Sequence, residues 1–272
     1  MNATSREIAS QPAVWERGIA LADEARAALA APGERTLILG CGTSWFMAQS
    51  VAVLREQAGL GETDAVCASE YTPGRGYDRV VAISRSGTST EVLDALVDTR
   101  LLLDFADEIS VVQTRFPTTV LALARAAFGE DLSGLVADGR TALAAPLPAA
   151  PADIDHLVFL GTGWTYGLAN EAALKVREAA QAWSESYPAS DFRHGPVAVA
   201  GRRSLVWMFG DVPAGLDEVA RAAGAVVRRD GLDPIAQLVL AQRFALGLAV
   251  QRGLDPDRPR LLTRSVVLQP TS

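Results

Sequence analysis

Three groups of residues hold most of the chemistry this sequence could perform. Glu171, Lys175 and Glu178 recur at spacings that place them on one face of a helix starting near Trp164. Such a stripe is ordinarily a solvated face carrying i,i+4 ion pairs. The alternative is a face turned towards a ligand, since the helix opens at the carboxyl end of a predicted strand. Further along, residues 191–196 (DFRHGP) set His194 in a Gly/Pro-bounded loop with an acid and an arginine. It is a candidate acid–base group, although a lone loop histidine is more often structural.

The third group is residues 80–91, VVAISRSGTSTE. An apolar run at 80–83 reads as a buried parallel strand, and residues 90–103 carry apolar positions at helical spacing. Between them stand Ser84, Arg85, Ser86, Gly87, Thr88 and Ser89. A strand that feeds hydroxyls onto a helix N-terminus offers free N–H groups, O–H donors and the positive end of the macrodipole to a phosphate. Thr88 and Glu91 also have capping-box spacing, but one cap needs one hydroxyl. The excess, with the Arg85 guanidinium, favours an anion site. The loop matches neither nucleotide-binding glycine pattern. A second hydroxyl turn, Gly42–Thr43–Ser44, follows the strand expected at 35–40, so a phosphorylated ligand fits between two turns at the carboxyl edge of one sheet.

Composition narrows the remaining choices. The chain has 272 residues, 49% of them hydrophobic, and a net charge of -7 without a basic run, so nucleic acid is not an expected partner. Cys41 and Cys67 read as small buried hydrophobes, and with only His156 and His194 no metal site is expected. No cofactor is indicated. The N-terminus lacks a basic–apolar signal pattern. The most apolar stretch, 235–250, is interrupted by Gln237, Gln242 and Arg243, which makes it a core helix and not a membrane span. A cytoplasmic location is expected.

The elements that must position these groups alternate. A helix is predicted over 12–30, a strand at 35–40, a helix at 45–57, strands at 64–69, 80–83 and 109–113, and a helix at 117–128. Residues 129–155, rich in Gly, Pro and Ala, read as a linker. Then the chain begins again. HLVFLG at 156–161 mirrors 36–40 with an offset of 161 − 40 = 121 residues. Strands follow at 182–186, 204–209 and 225–228, then a helix at 234–252 and a strand at 265–268. The pattern predicts an α/β chain of two tandem units, 1–135 and 156–272 joined by 136–155, each a mainly parallel sheet flanked by helices on both faces. After 204–209 the second unit has Gly210–Asp211, whose carboxylate would repel phosphate. Only the first keeps the anion loop.

The motifs CGTS (41–44), ASE (68–70), SRSGTST (84–90), EAALKVRE (171–178), DFRHGP (191–196) and DPDRPRLLTRSV (255–266) run in order across nearly the whole chain. In them the sequence resembles the sugar isomerase (SIS) family, especially the isomerase half of glucosamine-6-phosphate synthase and its stand-alone relatives. The resemblance implies two SIS subdomains, a sugar 6-phosphate ligand and a homodimer. It implies that Ser84, Arg85, Ser86 and Ser89 bind the phosphate, with Gly42, Thr43 and Ser44 completing the pocket. It makes Glu178 the base that moves a proton between C1 and C2, with Lys175 beside it, and His194 a ring-opening residue reaching the neighbouring subunit's site.

Departures bear on the reaction. Arg264 stands where the synthase has a lysine able to form a Schiff base, which an arginine cannot; it is carried over as a substrate-binding residue. The synthase's Ser-Thr-Lys loop has no counterpart in 129–150, and glutamine-dependent amination is not expected. The expected activity is ring opening and C2 deprotonation of a hexosamine 6-phosphate, giving aldose–ketose isomerisation with or without deamination. The same enolate could instead expel a C3 hydroxyl, making a lyase acting on an N-acetylhexosamine 6-phosphate. A sugar-phosphate sensor without catalysis would need neither Glu178 nor His194.

Overall fold

Runs of aliphatic residues too short for helices become buried strands, and the two most buried runs form the centres of two sheets. In the computed structural model, which describes residues 2–87 and 103–265, β1 (Thr36–Gly40) lies between β2 (Thr63–Cys67) and β3 (Arg79–Ala82), both parallel to it. β4 (His156–Gly161) lies between β5 (Ser184–Pro188) and β6 (Ser204–Phe209), and β7 (Val226–Arg228) pairs with β6; all pairings are parallel. All five residues of β1 are buried, as a strand packed on both faces requires.

The helices are α1 (Ala3–Ile19), α2 (Ala22–Leu29), α3 (Thr43–Gln57), α4 (Arg115–Ala127), α5 (Leu135–Ala144), α6 (Thr165–Ala180), α7 (Leu216–Ala222) and α8 (Pro234–Gln251). Phe159, Trp207 and Phe209 point to α6 and α8, while Val158, Val206 and Met208 meet Leu216 and Ala220 of α7 on the other face. A single apolar cluster runs from Ile38 and Met47 through α6 to Trp207 and Phe244, so the two sheets share one core.

The repeat is geometrical as well as sequential. β2 and β5 are related by the same offset as the central strands, 184 − 63 = 121. Gly42 and Gly163, also 121 apart, both have left-handed φ, +54° and +57°, at the turn leading into α3 and α6. These two helices pack on each other across an approximate two-fold relation. Asn170 donates to Gln49, its counterpart at 170 − 121, over 2.8 Å.

Several expectations are corrected. The helix predicted from Pro12 begins at Ala3, because Asn2 and the distant Asp257 carboxylate accept the first free N–H groups. It ends at Ile19, and a separate helix follows. Residues 109–113 are not a strand: the N–H groups of Ile109 and Ser110 go to the Glu7 carboxylate. The stretch read as a linker contains α5, whose last carbonyls accept from Arg243. Most of the helix expected over 90–103, and the strand over 265–268 beyond Ser265, lie outside the described residues.

The contact between α3 and α6 holds the halves in register. A Cβ built on Gly167 would sit 2.1 Å from Ser50 Oγ and 2.4 Å from the Phe46 carbonyl oxygen. Arg125 adds a second pin, pairing with Asp233 at 2.8 Å and with Glu130 at 2.8 Å beside the Trp164 ring. Gly167→Ala is therefore expected to lower stability by about 1–3 kcal/mol, overpacking outweighing the better helix propensity of alanine. Urea unfolding measures it; an unchanged midpoint would show that the two helices can part without cost.

Candidate functional site

Where a strand ends and a helix begins with glycine between, the turn is tight and its side chains are forced inward. A Cβ on Gly40 would lie 2.4 Å from the Ser44 carbonyl carbon, so only glycine lets the chain double back there. Thr43 and Ser44, 3% and 4% exposed, are carried to the carboxyl edge of the first sheet. There they meet α6 of the second half. Its apolar face is buried in the shared core, which also takes the Glu171–Lys175–Glu178 stripe out of water.

The geometry of that meeting is specific. Lys175 Nζ donates to Glu178 Oε2 at 2.5 Å, lies 3.2 Å from Glu171 Oε1 and donates to Thr43 Oγ1 at 3.1 Å. Thr43 Oγ1 in turn donates to Glu171 Oε1 at 3.2 Å. Glu171 is wholly buried, Lys175 is 1% exposed, and the Glu178 side chain keeps 19% of its surface. The stripe is thus not a solvated face. Burial pushes the Glu171 carboxyl up to about 7, Lys175 pulling it back and Glu178 adding to the rise. Burial alone would lower the Lys175 ammonium; the two carboxylates outweigh it and raise its pKa. Glu178, beside a fixed cation, is the member of the three that keeps a share of its surface open to solvent.

The loop expected to bind an anion leaves β3 at the same edge, with Ile83 N–H still bonded to the Leu39 carbonyl at 2.8 Å. Ser84 Oγ accepts the Gly87 N–H at 3.0 Å, and Gly87 takes φ +63°. Ser86 is half-buried in this turn. Thr88 and Ser89 lie outside the described residues. Arg85 behaves differently from expectation: its Nη1 and Nη2 donate to the carbonyls of Ser110 and Arg264 at 2.8 and 2.7 Å. Burial lowers its pKa, while Glu108, Asp107 and Glu178 act in the opposite sense. The loop and Glu178 therefore lie within electrostatic reach of each other.

Two other expected residues sit elsewhere. The Arg264 side chain pairs with the Asp107 carboxylate and the Glu108 carbonyl, and only its own carbonyl reaches Arg85. His194 closes a 3-10 turn after β5, exposed, at the carboxyl edge of the second sheet. α6 starts near that edge and carries Glu178 13 residues away from Thr165 (178 − 165), about 20 Å along the helix axis. One chain does not bring His194 to Glu178. The residue that sequence reasoning left without a role is Glu171; its spacing from Lys175 was visible, its complete burial was not.

Residues 152–236 match the family model described as SIS domain. The glutamine–fructose-6-phosphate aminotransferase [isomerizing] of Aeropyrum pernix is 31% identical over 327 residues, covering 89% of this chain and 52% of that protein. The enzyme of the same name from Treponema pallidum is 26% identical, with 84% and 45% covered. The chain spans about half the length of these curated relatives. Among solved structures, the glucosamine-6-phosphate deaminase of Thermotoga maritima superposes with a TM-score of 0.75 at 24% identity, covering 98% of this chain and all of that one. The tagatose-6-phosphate ketose/aldose isomerase of Escherichia coli gives 0.77 at 19% identity, with 100% and 98% covered. These likenesses establish the fold. No helix among the described residues is long and apolar enough to cross a membrane.

The raised Glu171 pKa carries a stability signature. A carboxyl held more acidic in the unfolded chain than in the folded one loses stability as pH rises from 4.5 to about 7. Glu171→Gln removes that loss. Between pH 4.5 and 8 the stability difference is expected to move in favour of the Gln variant by on the order of 3 kcal/mol. Denaturation curves at the two pH values measure it, and a difference independent of pH would place the Glu171 titration outside this window.

Proposed function

The chain carries an SIS domain, and from that premise we propose that it is a phosphosugar enzyme that opens a hexosamine 6-phosphate and removes its C2 proton. The observation that carries this reading is the Thr43–Lys175–Glu178 chain of contacts, which fixes a half-buried carboxylate beside the turns that suit a phosphate. Ser84, Ser86 and Ser89 with the α3 turn at Gly42–Ser44 hold the phosphate. Glu178 takes the proton from C2 of the open-chain aldose, and the Lys175 ammonium offsets the charge that develops on the carbonyl oxygen. Returning the proton to C1 gives the ketose. With a 2-amino sugar the same transfer gives a C2 imine, and water adds there with release of ammonia. The names of the solved neighbours, a deaminase and a ketose/aldose isomerase, support this range of outcomes.

His194 opens the ring from a second copy of the chain, since its own copy holds it at the far end of α6. Two experiments test the reading. Incubation with hexose and hexosamine 6-phosphates in D2O, followed by proton NMR, is expected to show deuterium at C1 or C2 with ketose formation or ammonia release. An unsaturated sugar would mean elimination at C3, and saturable binding without exchange would mean a sensor. Glu178→Gln is expected to bind the sugar phosphate and abolish exchange; surviving exchange would remove Glu178 as the base. Mixing Glu178→Gln with His194→Ala, each inactive alone, is expected to restore part of the activity through hybrid dimers. No restoration from a mixture shown to exchange subunits would place His194 outside the partner's site.

A further inference from the structure

An arginine with a fixed fork of donors does most when its nitrogens reach carbonyls from different segments, because it then fixes those segments relative to one another. Arg85 does this. Nη1 donates to the Ser110 carbonyl at 2.8 Å and approaches that of Val111 at 3.4 Å, while Nη2 donates to the Arg264 carbonyl at 2.7 Å. Residues 107–111, the strap that receives Nη1, have no ladder partners among the described residues and are held by side chains from other parts of the chain. Glu7 of α1, 4% exposed, accepts the Ile109 N–H at 2.6 Å. Arg115 donates to the Asp107 carbonyl, and Arg264 grips the Asp107 carboxylate and the Glu108 carbonyl. The segment around Arg264 is in turn tied back to α1, where Asp257 caps Ala3 and Thr4.

The geometry points to Arg85 as a positioning residue: its fork couples the C-terminal tail and the strap to the phosphate loop, instead of spending its terminal nitrogens on the phosphate. Charge alone would suffice for an anion ligand. Two carbonyls separated by more than 150 positions in sequence (264 − 110 = 154) need the fork. The loop then holds its shape only while the tail is docked, and any ligand on the loop favours the docked tail by the same free energy.

The coupling to ligand rests on the phosphosugar reading; the coupling to the tail does not, and the test separates them. Trypsin cutting after Arg260 and Arg264, followed by mass spectrometry without ligand, reads tail docking. Both Arg85→Lys and Arg85→Gln are expected to speed these cuts about tenfold, because neither replaces charge-assisted bonds to two segments. Unchanged cutting in both variants overturns the proposal. So does an Arg85→Lys variant that keeps wild-type affinity for glucosamine 6-phosphate by calorimetry while Arg85→Gln loses it, the mark of a charge that binds directly. A chain ending at Leu262 keeps the Asp257 cap and removes Arg264, which serves if the Arg85 variants do not fold. It is expected to bind glucosamine 6-phosphate about fivefold more weakly, with no further loss on adding Arg85→Gln. Additive losses overturn the coupling. Absence of binding in the wild type counts against the phosphosugar reading alone, and the tail-cutting arm still decides the role of Arg85.

Discussion

A buried ammonium cannot be left without a counter-charge, and Lys175 is the point from which this requirement spreads through the molecule. Its nitrogen is shared by two carboxylates of its own helix and one hydroxyl from the opposite half. That third contact is what makes the arrangement a relation between the two sheets. Were the halves to shift, Thr43 would leave, and the cation would lose the one neutral donor-acceptor that separates it from the first sheet's edge. Helix packing at Gly167 and the Arg125 pin hold the same distance from other directions. The charge network demands a spacing, and the packing supplies it.

The electrostatics also divide the labour between three ionisable groups on one helix face. Glu171 is fully enclosed and its acid form is favoured; Glu178 reaches water and touches the same cation. Two carboxyls seven residues apart, each one turn from Lys175, thus stand in different surroundings, one enclosed and one within reach of water. The half-buried position of Glu178 leaves its carboxylate accessible while Lys175 fixes its direction.

Much of this was legible in the sequence, and the limits have physical causes. Strands β1, β4 and β6 were visible because buried parallel strands are short unbroken apolar runs, β3 was visible by its apolar run although its residues are only half-buried, and the 121-residue offset exposed the repeat. The charged stripe was visible as a periodicity, but periodicity does not say whether a face is wet; only the packing of α6 against α3, α8 and the second sheet decides it. The start of α1 was missed because half of its cap comes from Asp257, far away in sequence. Residues 109–113 have strand composition yet form no ladder among the described residues, where Glu7 and Arg85 bond to the backbone of Ile109 and Ser110. Arg85 and Arg264 were read as ligand-facing from their motifs, whereas the donors of Arg85 serve main-chain carbonyls and those of Arg264 serve the Glu108 carbonyl and the Asp107 carboxylate. Long-range bonds from side chain to backbone leave no local signature.

The two-fold relation between α3 and α6 has a consequence for how the chain came to work. Thr43 of the first turn meets Glu171 of α6, and the Trp164 carbonyl of the second turn meets Ser50 of α3; 43 + 121 = 164 and 171 − 121 = 50. At the places matching Glu171, Lys175 and Glu178, α3 carries Ser50, Leu54 and Gln57. The scaffold therefore offers two equivalent sets of positions, and in this chain only the set on α6 is ionisable. A duplicated framework can confine charge to one of its copies in this way without any change of architecture.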